Sequence, residues 1–339
     1  MSPRVVDEVS GWLRRYDDGS VDRAWTGPPE VKFMSDPVPP HKHFVDGVST
    51  HDVTIDPTSG LRVRVYLPEP RPGEQDKKLP VFLHLHGGGF CISQPDWFMY
   101  YNTYTNLVRS AGAVVVSPYL RLAPEHPLPA ACDDAFSALL WLDSLAANQN
   151  EAGSCSLLSS RADFQRVFLI GDSSGGNLVH QVALRSGSAA TELGQVKVAG
   201  AIPIHPGFLR STRSRSEMEQ PESPLLTLEM VDKFLGMALP VGATKDHPIT
   251  CPMGPDAPPL DGTKLPPYLL VVAEKDLVKD TEMEFHEAMK AAGKDVELLI
   301  NAGMGHSFYL NKIALDLDPP TGIEFAKLIE GIVKFVDNH

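Results

Sequence analysis

The sequence predicts one α/β domain: a mostly parallel central sheet with helices on both faces and a small cap. Three observations predict it. From about residue 80 onward, short apolar runs alternate with longer amphipathic stretches, the pattern of parallel strands covered on both faces. An alternating hairpin stands in front of them. Two segments interrupt the rhythm, and each is too short to fold as a domain of its own. The expected division is a core of about 46–206 and 251–339 and a cap from about 1–45 and 207–250. A chain of 339 residues could hold two domains, but α/β domains with insertions also reach this length.

Taken in order, Val5, Val9, Trp12 and Leu13 have helical spacing, so an amphipathic helix is expected, followed by the Pro-rich GPPEVKFMSDPVPPHKHF. THDVTID and LRVRVYL flank Pro57-Thr58-Ser59-Gly60 and predict an antiparallel hairpin. Buried strands are predicted at VFLHL (81–85), AVVVS (113–117), VFLI (167–170), VAGAIPI (198–204), YLLVVA (268–273) and VELLI (296–300). Helices are predicted at 133–147, from Ser174 to Arg185, at 281–293 with a closing glycine, and over GIEFAKLIEGIVKFVDN near the C-terminus. Inside the second interruption, LLTLEMVDKFLGMAL also reads as helix.

Composition narrows the partners. A net charge of −13 argues against a nucleic-acid backbone or an anionic membrane surface. The N-terminal residues lack the apolar core of a secretory signal, and no run approaches the roughly 20 apolar residues of a membrane span. Cys91, Cys132, Cys155 and Cys251 are far apart and match no metal spacing, and no Asn-x-Ser/Thr acceptor occurs. Reduced thiols, a cytoplasmic location and no metal are the expectation.

The chemistry is written in four places. Gly171-Asp172-Ser173-Ser174-Gly175 fits G-x-S-x-G between a strand and a helix. That turn lifts a nucleophile, here Ser173, above the sheet on a strained backbone that only small neighbours permit. Ser174 then opens the helix, and its N–H lies at the positive end of the dipole. Its side chain is expected to matter much less than that of Ser173. His86-Gly87-Gly88-Gly89-Phe90 ends another strand, and its bare amides suit a developing oxyanion. It lacks the spacing and the Lys-Ser/Thr of a phosphate cradle. Asp276 follows the strand 268–273, where sites of parallel sheets lie. Asp280 reads as the cap of the next helix. Of twelve histidines, His306 alone follows a strand in the position a general base requires. His84 and His86 read as orienting or packing residues.

HGGGF (86–90), LRLAPEHPLPAACDDA (120–135), GDSSGGNL (171–178), the D-L-x-x-D around Asp276 and the G-x-x-H-x-F around His306 occur in the order of one family. Together they resemble the plant carboxylesterase branch of the hormone-sensitive-lipase-like α/β-hydrolases, over nearly the whole chain. The resemblance implies an α/β-hydrolase fold, no cofactor and a lid. It implies Ser173, Asp276 and His306 as catalytic triad, Gly88, Gly89 and Ser174 as oxyanion donors, and a small-molecule ester as substrate. Phe90, Phe208, Leu225, Leu277 and Phe308 flank the motifs or lie in the insertion, and are expected as pocket walls. The chain departs from the family at Tyr119-Leu120-Arg121, where Asp-Tyr-Arg is usual. Relatives that eliminate rather than hydrolyse use the same site. A gibberellin receptor of the same family has lost the catalytic histidine, which this chain retains.

Overall fold

A computed structural model describes residues 3–74, 77–148, 156–191, 193–223 and 225–339; Cys155 lies outside the described residues. The stretch from Val5 to Leu13, expected as an amphipathic helix, is not helical. The N-terminal segment forms β1 (Val5–Val9), β2 (Leu13–Tyr16) and β3 (Val21–Asp22), a small antiparallel sheet. Gly11, in the turn, takes φ +77°, and its carbonyl accepts the N–H of Thr26. That left-handed residue breaks any helix, and Val5 and Val6 point to solvent, so the helical spacing was coincidental.

The hairpin forms as expected, β4 (Val48–Asp56) against β5 (Leu61–Pro68), with Gly60 at φ +75°. The remaining elements alternate: β6 (Leu79–Leu85), α1 (Phe98–Ala111), β7 (Val114–Pro118), α2 (Ala130–Ala147), α3 (Ser156–Arg161), β8 (Ala162–Asp172), α4 (Ser174–Ser186) and β9 (Val198–Ile204). The insertion contributes α5 (Arg215–Glu219) and α6 (Leu228–Ala238). Then come β10 (Tyr268–Ala273), α7 (Lys279–Ala291), β11 (Val296–Asn301), α8 (Lys312–Leu317) and α9 (Pro319–Asn338).

The eight-stranded sheet has the order β11-β10-β9-β8-β6-β7-β5-β4, and β5 alone runs against the rest. Period-two alternation sorts its side chains into two apolar layers. Leu83, Val116, Leu169 and Leu270 pack on the side of α2, α4 and α7. Phe82, Val115, Phe168 and Val271 pack on the side of α1 and α9. The loops after β6, β8, β9, β10 and β11 therefore gather at one edge of the sheet, since all five strands are parallel. Among the described residues, no helix is long and apolar enough to cross a membrane.

Candidate active site

Ser173 links β8 to α4 with φ 52° and ψ −125°, outside the regions open to ordinary residues. The glycines around it are explained by proximity to β6. A Cβ on Gly175 would lie 2.0 Å from the carbonyl oxygen of Leu85, and one on Gly171 would lie 2.5 Å from it. Without side chains there, α4 and β8 close onto β6 and hold the strained turn in place. Ser174 is the first residue of α4, so its N–H has no partner within the helix.

His306 and Asp276 meet from neighbouring strand ends. His306 Nδ1 and Asp276 Oδ2 are 2.6 Å apart, and both residues are buried. Asp276 Oδ1 accepts the N–H of Val278, which orients the carboxylate toward the ring. His306 Nε2 has no partner among the described residues. Glu282, one helical turn into α7, is buried with both carboxyl oxygens unpartnered among the described residues. Burial and then the charge of Asp276 push its pKa well above the usual carboxylate range, so it is held neutral.

The loop after β6 is built on Asp172, to which the sequence assigned no role. Its buried carboxylate accepts the N–H of Gly87 at 3.2 Å and the Tyr100 hydroxyl at 3.2 Å. A Cβ on Gly87 would collide with that carboxylate at 2.5 Å. Gly88 and Gly89 follow at φ +102° and +59°, and their N–H groups make no hydrogen bond among the described residues. The hydroxyl of Ser174 is not idle: it accepts the N–H of Phe90 at 3.2 Å and ties this loop to α4. His84 and His86 are structural. His84 Nδ1 pairs with Ser117 Oγ at 2.8 Å, His86 Nδ1 donates to the Gly87 carbonyl, and burial pushes the His86 imidazole down to about 4.

Ser173, Ser174, Gly88, Gly89 and His306 open onto one cleft with roughly 760 Å³ of empty space. Phe90 and Leu225 line it. Phe208 and Leu277 do not; Phe208 packs on Phe285, and Leu277 lies in the core beneath the Asp276 loop. Phe308 faces a second recess beyond His306, shared with Leu225. The walls that sequence reasoning missed are Trp12, Met230, Phe234 and Leu235. They come from the two segments that the sequence groups as a cap, and these meet where Lys233 Nζ donates to the Glu8 carbonyl at 2.5 Å.

Asp280 is not a helix cap. Helix α7 begins at Lys279 without a side-chain cap. The Asp280 carboxylate instead accepts the Ser216 N–H at 2.8 Å, and Ser216 Oγ donates to the Leu277 carbonyl at 2.7 Å. Helix α5 is thereby fastened to the loop that carries Asp276. At the family departure, Tyr119 donates its hydroxyl to Asp52 at 3.2 Å, and Arg121 pairs with Asp134 on α2. Neither residue lines the cleft.

A family model described as alpha/beta hydrolase fold matches residues 82–310. The chain is 35% identical to "Probable carboxylesterase 6" of Arabidopsis thaliana, over 90% of this chain and 85% of that protein. It is 36% identical to a 2-hydroxyisoflavanone dehydratase of Glycyrrhiza echinata, over 91% of each. Among solved structures, an esterase of Pyrobaculum calidifontis superimposes with a TM-score of 0.68 at 25% identity, over 91% of this chain and 88% of that one.

Proposed function

Since this chain belongs to the plant carboxylesterase branch of the hormone-sensitive-lipase-like α/β-hydrolases, we propose that it hydrolyses carboxylic esters of small, mainly apolar molecules through an acyl-Ser173 intermediate. The buried His306–Asp276 contact of 2.6 Å, beside a serine on a strained turn, carries this reading. Ser173 Oγ attacks the ester carbonyl carbon while its proton passes to His306 Nε2. Asp276 holds the Nδ1–H tautomer and stabilises the imidazolium. The N–H groups of Gly88, Gly89 and Ser174 receive the oxyanion, a role in which one donor is worth about 3–4 kcal/mol. His306 returns the proton to the alcohol oxygen as the C–O bond breaks. A water molecule, deprotonated at the same nitrogen, then attacks the acyl group and frees the acid and Ser173.

The N-terminal segment and the 207–250 insertion act together as the cap over the cleft, and their apolar walls select the substrate. The free, buried Cys91, Cys132 and Cys251 suit a reducing, cytosolic setting.

Turnover of p-nitrophenyl acetate and butyrate is expected in the wild type and abolished in Ser173→Ala. An inactive wild type, or a variant as active as the wild type, overturns the reading. The similarity to a dehydratase favours a second reading, in which His306 removes a substrate proton and water is eliminated. Mass spectrometry of the natural-substrate reaction separates them, because hydrolysis adds the mass of water and elimination subtracts it.

A further inference from the structure

His205 stands just past the end of β9, fully buried, and the proton transfers above do not use it. Its backbone takes φ 45°, an uncommon conformation for a ring-bearing residue. Even so, its N–H extends the ladder to the Val271 carbonyl at 2.9 Å. The imidazole is thereby brought beside the loop that carries His306, with the two ring centroids 6.0 Å apart.

His205 Nδ1 accepts the N–H of Ser307 at 3.0 Å. An atom that accepts there carries no proton, so the proton is on Nε2. Nε2 is buried and has no hydrogen-bond partner among the described residues. Burial pushes the His205 imidazole down to about 4, which keeps Nδ1 bare at ordinary pH.

We infer that His205 is a positioning residue: through the Ser307 N–H, it holds the His306 loop in register with Asp276 and Ser173. Ser307 takes φ 49°, a left-handed conformation that serine adopts only when its surroundings impose it. The bond to Asp276 fixes the tautomer and the orientation of the His306 ring. It does not fix the backbone from which the ring hangs, and that backbone is pinned one residue further on. The His205 ring thus anchors this loop to the end of β9, whose backbone is in turn held by the Val271 carbonyl.

The inference rests on Ser173 and His306 acting as a proton-transfer pair. Its test therefore measures the reactivity of Ser173 itself, as the rate of diethylphosphorylation by paraoxon, with loss of 4-nitrophenolate, followed by intact mass. Ser173→Ala serves as the control for the site of labelling. His205→Leu removes the acceptor at similar volume and is expected to slow labelling roughly 10- to 100-fold, the scale of a small misplacement. His205→Asn keeps an acceptor near the Nδ1 position and is expected to recover most of that loss. With p-nitrophenyl butyrate the defect should fall on kcat and leave KM nearly unchanged, because His205 does not line the cleft.

Unchanged labelling of His205→Leu overturns the inference while leaving the esterase reading intact, and so does an Asn variant as slow as the Leu variant. A wild type that is not labelled at Ser173 overturns the esterase reading and, with it, the inference. Should His205→Leu fail to fold, His205→Met takes its place, because it also lacks a strong acceptor at the Nδ1 position. The same slowing is expected of it, and a wild-type rate overturns the proposal.

Discussion

Ser173 and Ser174 are adjacent and chemically identical, yet the fold separates them completely. Ser173 has the strained backbone, whereas Ser174 begins a regular helix and gives its hydroxyl to the Phe90 amide. Ser174→Ala should therefore reduce kcat by only a few-fold, roughly the loss of one net hydrogen bond of about 1 kcal/mol. Steady-state kinetics beside Ser173→Ala check this, and equal losses would refute the division of roles. The pair was legible in sequence because glycine spacing marks the turn. The hydroxyl contact was not, because it spans two loops far apart in the chain.

Glu282 offers a second test at this scale. Its folded pKa is raised by burial and by Asp276, so the native state holds a proton that the unfolded chain releases near the ordinary carboxylate value of 4.5. The stability this gives is complete below that value and drains away as pH rises toward the folded pKa. The slope approaches about 1.4 kcal/mol per pH unit for one proton. Glu282→Gln cannot ionise. Its melting temperature should gain on that of the wild type between pH 5 and pH 9, and a constant difference would count against a buried neutral carboxyl.

Among elements, the contact between α4 and β6 sets the geometry of the turn. Gly175→Ala would drive a methyl group into the Leu85 carbonyl, so the helix must retreat from the sheet. The expected cost is about 1–3 kcal/mol in urea unfolding, with activity falling further than stability because Ser173 moves with the helix. An alanine variant of full stability and activity would show that the spacing is not needed. Strands and long helices were readable because each is fixed by its own periodicity. The N-terminal strands were not, since Val5, Val9, Trp12 and Leu13 mimic a helix and only Gly11 betrays the turn. Asp280 was misread for a related reason. A carboxylate at the start of a helix looks like a cap until the partner that claims it, Ser216, arrives from another part of the chain.

At the scale of the molecule, the cleft is lined by residues more than two hundred positions apart in the sequence, Trp12 and Phe234. Phe234 from α6 packs so closely over Gly89 that a Cβ there would lie 2.5 Å from its ring, and Trp12 comes from the N-terminal sheet. Phe234→Ala should widen the cleft. The ratio of kcat/KM for p-nitrophenyl octanoate to that for acetate should rise about tenfold, the worth of burying roughly two more methylene groups. An unchanged ratio would remove Phe234 from the specificity wall. The motif loops were readable because glycine spacing and strand ends mark them, whereas Phe208 and Leu277, which do not line the cleft, show why its walls were not. Proximity to a motif along the chain says nothing about which face of an element meets the cleft.

The order of strands across the sheet has a consequence for the timing of synthesis. Ser173, the proposed nucleophile, follows β8, and His306, its proposed proton acceptor, follows β11, so β9 and β10 must be laid between them before the two can meet. A growing chain that has completed the serine turn is still inert, because the histidine is made much later and docks on the last strand. The proposed activity is thus withheld until the parallel sheet is finished to its far edge, and recovery of turnover during refolding should report completion of that edge rather than formation of the turn.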